Sequence, residues 1–346
     1  MSRFSIFLLV LALLLGAMLA ACGAMPDLPE PAPVATSTPA PAPTHTPAPT
    51  LAPTPAPTNT PAPEPTTPPT ESEPTPEEPQ PAAPTAIPMP PFELNGVVYS
   101  DFILMDNDVK ANIKAIYAKG QQQGRNARAF SKLGDSLIAN PYFLRVFDQQ
   151  DPNLGPYKLG DYAFLQKVID YYAGSFDRYG VGIHVGLHTW SVFDPMWASK
   201  ELCNSGETLL DCEIRLNNPS IMLVLLGTND DAPQGTFEVN YDKIVRTILE
   251  KNVIPVLFTK ADRFEGPDNR NNLAIRKIAA KYQVPLVDFD VLADTLPNRG
   301  TGPDNIHLSI ADNNDYTDPN TYRFGNTTHN LSTLIMLDRL LATLGD

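Results

Sequence analysis

Apolar residues fall along the chain in three regimes. Residues 4–19 form an apolar run behind Arg3, residues 25–91 hold few large apolar side chains, and from Phe92 onward short apolar runs alternate with helically spaced ones. In the third regime, residues 127–133 read as a strand, interrupted by Arg128, Ser131 and Lys132 and broken at Gly134. Residues 220–226 are nearly continuous in apolar character, as expected of a strand buried on both faces, and residues 253–258 and 284–287 repeat the pattern. Residues 181–186 read as a shorter strand ending at Gly186. Helical spacing occupies residues 109–117, 162–172, 241–250 and 271–281, and residues 331–344 close the chain as a largely apolar helix. Strands alternating with helices predict an α/β fold, a three-layer α/β/α sandwich around a central parallel sheet.

Composition separates that unit from what precedes it. Most of the 37 prolines lie at or before Pro91, which divides the 346 residues into a leader (1–22), a Pro/Thr/Ala-rich linker (23–91) and one folded unit (92–346). The linker is too poor in large apolar residues to offset the entropy of ordering. Its proline density favours an extended tether, reaching up to roughly 200 Å at about 3.1 Å per residue. His45 sits in this tether and is not expected to do chemistry.

The leader has the form of a secretory signal: one basic residue, then an apolar run a little short for a membrane span. It ends Leu19-Ala20-Ala21-Cys22-Gly23. Small residues immediately before a cysteine resemble the lipobox of bacterial lipoproteins, and the resemblance implies that Cys22 becomes a lipidated N-terminus on the outer side of a membrane. An ordinary secretory cut near Ala20 or Ala21 is the alternative. With Cys22 acylated, Cys203 and Cys212 remain of three cysteines, nine positions apart in a loop-like stretch of an extracytoplasmic unit. A disulfide between them is expected, with two free thiols as the alternative. Neither has the spacing of a zinc site. The acidic run 312–318 offers calcium-like ligand types without the EF-hand spacing, so it reads as a solvated loop. A net charge of -14 without a basic stripe argues against a nucleic-acid partner.

Candidate chemistry begins at Ser136, which follows the first strand where a helix begins, at the carboxyl end of a sheet, where ligands bind in open α/β folds. The first N–H groups of that helix lack intrahelical partners and are expected to face developing negative charge. A serine in this setting is also a common helix N-cap. Gly227-Thr228-Asn229-Asp230 follows the central apolar strand, and Asp304-Asn305-Ile306-His307 lies near the C-terminus. No Gly-x-Ser-x-Gly surrounds Ser136, which argues against an α/β-hydrolase elbow.

Gly134-Asp135-Ser136-Leu137, Gly186, Gly227-Thr228-Asn229-Asp230 and Asp304-x-x-His307, in that order, resemble the SGNH (GDSL-type) hydrolase superfamily. The resemblance implies a flavodoxin-like three-layer fold, with Ser136 as nucleophile, His307 as general base and Asp304 as its orienting carboxylate. It further implies an oxyanion hole from the Ser136 N–H, Gly186 and the Asn229 amide, with Gly182 competing for the glycine's place. Asp135 and Asp230 read as loop-bracing residues. His184 and His329 read as structural, His188 as a possible substrate contact, and Trp190 and Trp197 as candidates to line the cleft. The expected activity is an extracytoplasmic serine esterase for carboxylic, including acetyl, esters of carbohydrate or lipid, requiring no dissociable cofactor or metal. A non-catalytic surface module that binds glycan in the same cleft is the alternative.

Overall fold

The computed structural model of the protein describes residues 91–230 and 236–345. Cys22, His45 and the leader and tether expected up to residue 90 lie outside the described residues.

Five strands form the main sheet: β1 (Ile103–Leu104), β2 (Asn126–Gly134), β3 (Pro219–Leu225), β4 (Ile254–Phe258) and β5 (Leu286–Val287), in the order β1-β5-β4-β3-β2. Strands β2 to β5 pair in parallel, whereas β1 runs antiparallel to β5. The expected central parallel sheet thus carries one antiparallel strand at its edge. β1 precedes the first crossover helix, so no βαβ unit sets its direction.

After a single turn at Tyr99–Phe102, the helices used below are α1 (Asn107–Gln122), α2 (Ser136–Ala139), α3 (Gln166–Tyr171), α4 (Leu209–Asn217), α5 (Thr236–Glu250), α6 (Arg270–Tyr282), α7 (Phe289–Ala293) and α8 (Gly325–Leu344). Side chains alternate across β3 and divide the core in two. Ile221, Leu223 and Leu225 join α1 and α8 on one face, while Met222 and Val224 join α4, α5 and α6 on the other. The three-layer α/β/α reading holds.

Three elements differ from the sequence reading. Residues 181–186 form no strand, and only Ile183 bridges Gly134, in parallel. Gly186 turns the chain away at φ +76°, and the Gly182 N–H is taken by the Glu213 carboxylate at 2.9 Å instead of a ladder partner. With that bridge counted as second, the order across the parallel part is 2-1-3-4-5, the flavodoxin-like arrangement. The segment 162–172 is helical only in its second half; Gly160–Leu165 is a 3-10 stretch kinked at Tyr162, whose ring packs against Tyr316 and Tyr322. The last helix starts six residues early, because the polar Asn326, Thr327, Thr328 and Asn330 are buried in it rather than looped out. Asn330 ties that helix to the backbone of Tyr142 and Leu144, both at 2.9 Å.

The register Gly134 to Leu225 sets the carboxyl ends of β2 and β3 side by side. The close approach requires Gly134, where a Cβ would lie 2.6 Å from the Leu225 carbonyl oxygen. Ser136 and the Gly227–Asp230 loop thus leave the sheet from neighbouring strands at the edge where doubly wound folds place ligands.

Candidate active site

Asp135 is the N-cap of α2, its Oδ1 accepting from the Leu137 N–H at 3.0 Å. The capping alternative for Ser136 is thereby filled by its neighbour. α2 is a single turn, so the expected row of open N–H groups shrinks. The N–H of Ser136 itself has no partner among the described residues. The half-buried Ser136 places Oγ 2.9 Å from His307 Nε2.

On the far side of the imidazole, His307 Nδ1 lies 2.7 Å from Asp304 Oδ2. The other oxygen, Oδ1, accepts from the backbone N–H groups of Ile306 and His307, each at 3.0 Å. The three-residue spacing works because Asn305 adopts φ +58° and folds the loop back on itself. Gly302 donates to the His307 carbonyl at 2.7 Å, and Asn298 donates to the Asn305 side chain at 2.9 Å, which closes the loop beneath the ring. The hydrogen bond from His307, aided by those N–H groups, holds the Asp304 carboxyl below its ordinary value. An ionised Asp304 selects the tautomer with hydrogen on Nδ1, leaving Nε2 to accept from the Ser136 hydroxyl. Both side chains are nearly half exposed, at 45% for His307 and 49% for Asp304.

Asn229 follows β3, and its Nδ2 donates to the Leu187 carbonyl at 3.3 Å, linking its loop to the segment after Gly186. Asp230 receives the Thr189 N–H at 3.1 Å and the Thr189 hydroxyl at 2.6 Å, so it does brace the loop. Between the two glycines, Gly182 has spent its N–H on Glu213, whereas the Gly186 N–H has no partner among the described residues.

Sequence reasoning missed what lies under this loop. Lys260, Asp262 and Glu265 are wholly buried, with Lys260 Nζ bonded to Glu265 and, at 2.9 Å, to Asp262 Oδ1. Asp262 Oδ2 accepts from the Thr228 hydroxyl at 2.9 Å, immediately before Asn229. Asn271 Nδ2 donates to the carbonyls of Gly227 at 2.9 Å and Asp230 at 3.0 Å, clasping both ends of the turn. The available signal was the charge cluster directly after the buried β4, which pattern alone reads as a solvated loop. Asp135 faces the same network. Burial pushes its carboxyl up to about 7, with Asp262 and Asp230 adding to the effect and the Leu137 N–H and Lys260 opposing it.

The remaining histidines among the described residues take no part in the Ser136–His307–Asp304 line. His329 is buried among Phe143, Phe258 and Phe289, which pushes its imidazole down to about 3. His184 meets Trp197 edge-on at 6.0 Å, and burial lowers its proton affinity. His188 stacks on Trp190. Cys203 and Cys212 form the expected disulfide, with Cα atoms 5.4 Å apart, although Cys212 lies in α4 rather than in a loop. Glu207 is close to both sulfurs, but sulfurs bonded to each other offer no thiolate to a metal. In the acidic run, Asp315 pairs with Lys158 at 2.6 Å.

No curated protein sequence matches the chain. Among solved structures, the psychrotrophic esterase EstA from Pseudoalteromonas sp. is 14% identical, with 62% of this chain and 99% of that chain covered at a TM-score of 0.38. A catalytic mutant of Axe2, an acetylxylan esterase from Geobacillus stearothermophilus, is 10% identical, with 64% and 96% covered at a TM-score of 0.39. The GDSL-like Lipase/Acylhydrolase family matches residues 133–311, more than half of the sequence, from the end of β2 to the loop after His307. The chain belongs to the GDSL-like lipase/acylhydrolase family and is an ester hydrolase.

Proposed function

We propose that the protein is a serine esterase that acts through an acyl-Ser136 intermediate, with His307 as general base and acid and Asp304 as its orienting partner. The observation that carries the reading is the unbroken line from Ser136 Oγ through His307 to Asp304, at 2.9 Å and 2.7 Å. As Oγ attacks the ester carbonyl carbon, its proton passes to His307 Nε2, and Asp304 stabilises the imidazolium. Negative charge on the carbonyl oxygen meets the N–H groups of Ser136 and Gly186 and the Asn229 amide. His307 then protonates the departing alkoxide. Water, deprotonated by the same nitrogen, attacks the acyl group and releases the acid.

Carboxylic esters of short acyl groups, acetyl among them, on carbohydrate or small lipid alcohols are the proposed substrates. The proposed setting is extracytoplasmic, with Cys22 lipidated and the proline-rich tether holding the enzyme away from the membrane. What supports that setting is the apolar leader ending Ala20-Ala21-Cys22. Two acyl chains hold a protein on a bilayer where one binds only marginally.

Hydrolysis of 4-nitrophenyl acetate by the full chain tests the chemistry. Ser136→Ala and His307→Ala are each expected to lower kcat by at least about 10³, the scale of losing one member of such a unit. Turnover within tenfold of the parent in Ser136→Ala sinks the acyl-serine reading.

A further inference from the structure

We infer that Trp190 is a stacking platform for a neutral sugar ring, so that the alcohol part of the natural ester is a saccharide rather than a lipid. The inference rests on the acyl-serine reading above and specifies its substrate class.

Trp190 is 50% exposed, yet its place is fixed. Its ring stacks on His188 with centroids 5.6 Å apart and planes 26° from parallel. The backbone is pinned on both sides of it. Before it, Thr189 donates its N–H and hydroxyl to Asp230. After it, Ser191 bonds the His188 carbonyl through both its N–H, at 3.1 Å, and its hydroxyl, at 2.8 Å. Asp230 is the residue after Asn229, and Asn229 bonds the Leu187 carbonyl. The indole is therefore carried by a segment stitched to the loop that supplies the proposed oxyanion donor.

A flat aromatic face held in place while half its surface stays in water has no packing role that would explain the exposure. It suits a partner with one flat C–H face and polar edges that remain solvated, which describes a pyranose ring. Indoles favour such places, where one side of the contact is apolar and the other wet. An alkyl chain gains instead from an enclosing apolar trough. At 50% exposure the indole itself lies in no such enclosure. A net charge of -14 further disfavours acidic sugars, so the saccharide is a neutral one.

The test compares three acetate or short-acyl esters on the full chain by pH-stat: xylobiose peracetate, ethyl acetate and emulsified tributyrin. Ethyl acetate has an alcohol too small to cover an indole. Trp190→Ala is expected to raise KM for the xylobiose ester roughly 3- to 10-fold, the range of one aromatic contact. Its kcat, and both constants for ethyl acetate, should stay put, and Trp190→Phe should restore most of the KM. The inference is overturned if KM rises equally for ethyl acetate, if the xylobiose ester is unaffected, or if only tributyrin turnover suffers. Ser136→Ala run in parallel separates the two levels: retained turnover there removes the acyl-serine reading itself, whereas its loss with an indifferent Trp190→Ala removes the sugar platform alone.

Discussion

Replacing Lys260 by methionine keeps the length of the stem and removes one buried positive charge. Lys260 is 1% exposed, and the side chains of its partners Asp262 and Glu265 are buried to the same degree. The substitution leaves two carboxylates out of water with their shared cation gone. Breaking a buried ion pair from one side costs about 3–5 kcal/mol. At roughly 2–4 °C per kcal/mol for a domain of this size, Tm should fall by about 6–20 °C. The damage should also reach catalysis. Asp262 holds the Thr228 hydroxyl, Glu265 receives the Asn271 N–H at 3.3 Å, and Asn271 clasps both ends of the turn that presents Asn229. Loosening that turn should lower kcat with little change in KM, by no more than the roughly 10²–10³ expected for removing the proposed oxyanion donor outright. Calorimetry gives the first quantity, and a double-mutant cycle of Lys260→Met with Asn229→Ala gives the second. If the brace acts through Asn229, the second substitution adds little to the first. A Tm shift under 2 °C, or losses in kcat that multiply fully, would refute the reasoning.

Two buried titrating groups pull stability in opposite directions with pH. His329 is held at about 3 against an ordinary 6.5, so the unfolded chain binds the extra proton and stability falls as pH drops through that window. Asp135 is held at about 7 against an ordinary 3.8, so the native state binds the extra proton and stability falls as pH rises through its window. Each slope is at most about 1.4 kcal/mol per pH unit. Urea unfolding at pH 5, 6 and 8 should show Asp135→Asn gaining up to about 4 kcal/mol at pH 8 and losing stability on acidification. His329→Leu should show the reverse slope, with stability declining from pH 5 to 8; parallel profiles for both variants would refute the assignment. Joint replacement of Cys203 and Cys212 by serine should cost about 2–3 kcal/mol through loop entropy, read as a lower urea midpoint at unchanged slope.

The fold was legible where burial is continuous. β3 is apolar apart from Ser220 and β4 is apolar throughout, and α5 and α6 carry clear helical spacing, so each was placed to within a few residues. It was illegible where polar groups are buried by pairing. The first turn of α8 looks like a loop because Asn326 to Asn330 are polar, and only their tertiary partners show why burial is tolerated. Residues 181–186 alternate like a strand, but local apolarity carries no word of the Glu213 carboxylate that intercepts Gly182. The site divides the same way. Ser136, Asn229, Asp304 and His307 lie in short motifs, so their residue types marked them as candidates, and hydrogen bonds bring three of them, Ser136, His307 and Asp304, together. Gly186 was the glycine carried over from the resemblance, with Gly182 in competition; what separates their N–H groups is the bond of Gly182 to Glu213, and the Lys260 brace rests on three charges converging below the surface. Neither is a property of spacing along the chain.

Labelling with a fluorophosphonate tests the central claim without knowledge of the substrate, because such a probe reacts with an activated serine and not with an ordinary one. The full chain would be incubated with the probe and the adduct mapped by mass spectrometry, beside Ser136→Ala and His307→Ala. The account predicts one adduct, on Ser136, slowed by at least about a hundredfold when His307 is removed. A folded protein that stays unlabelled at Ser136, or labels there as fast without His307, would contradict it.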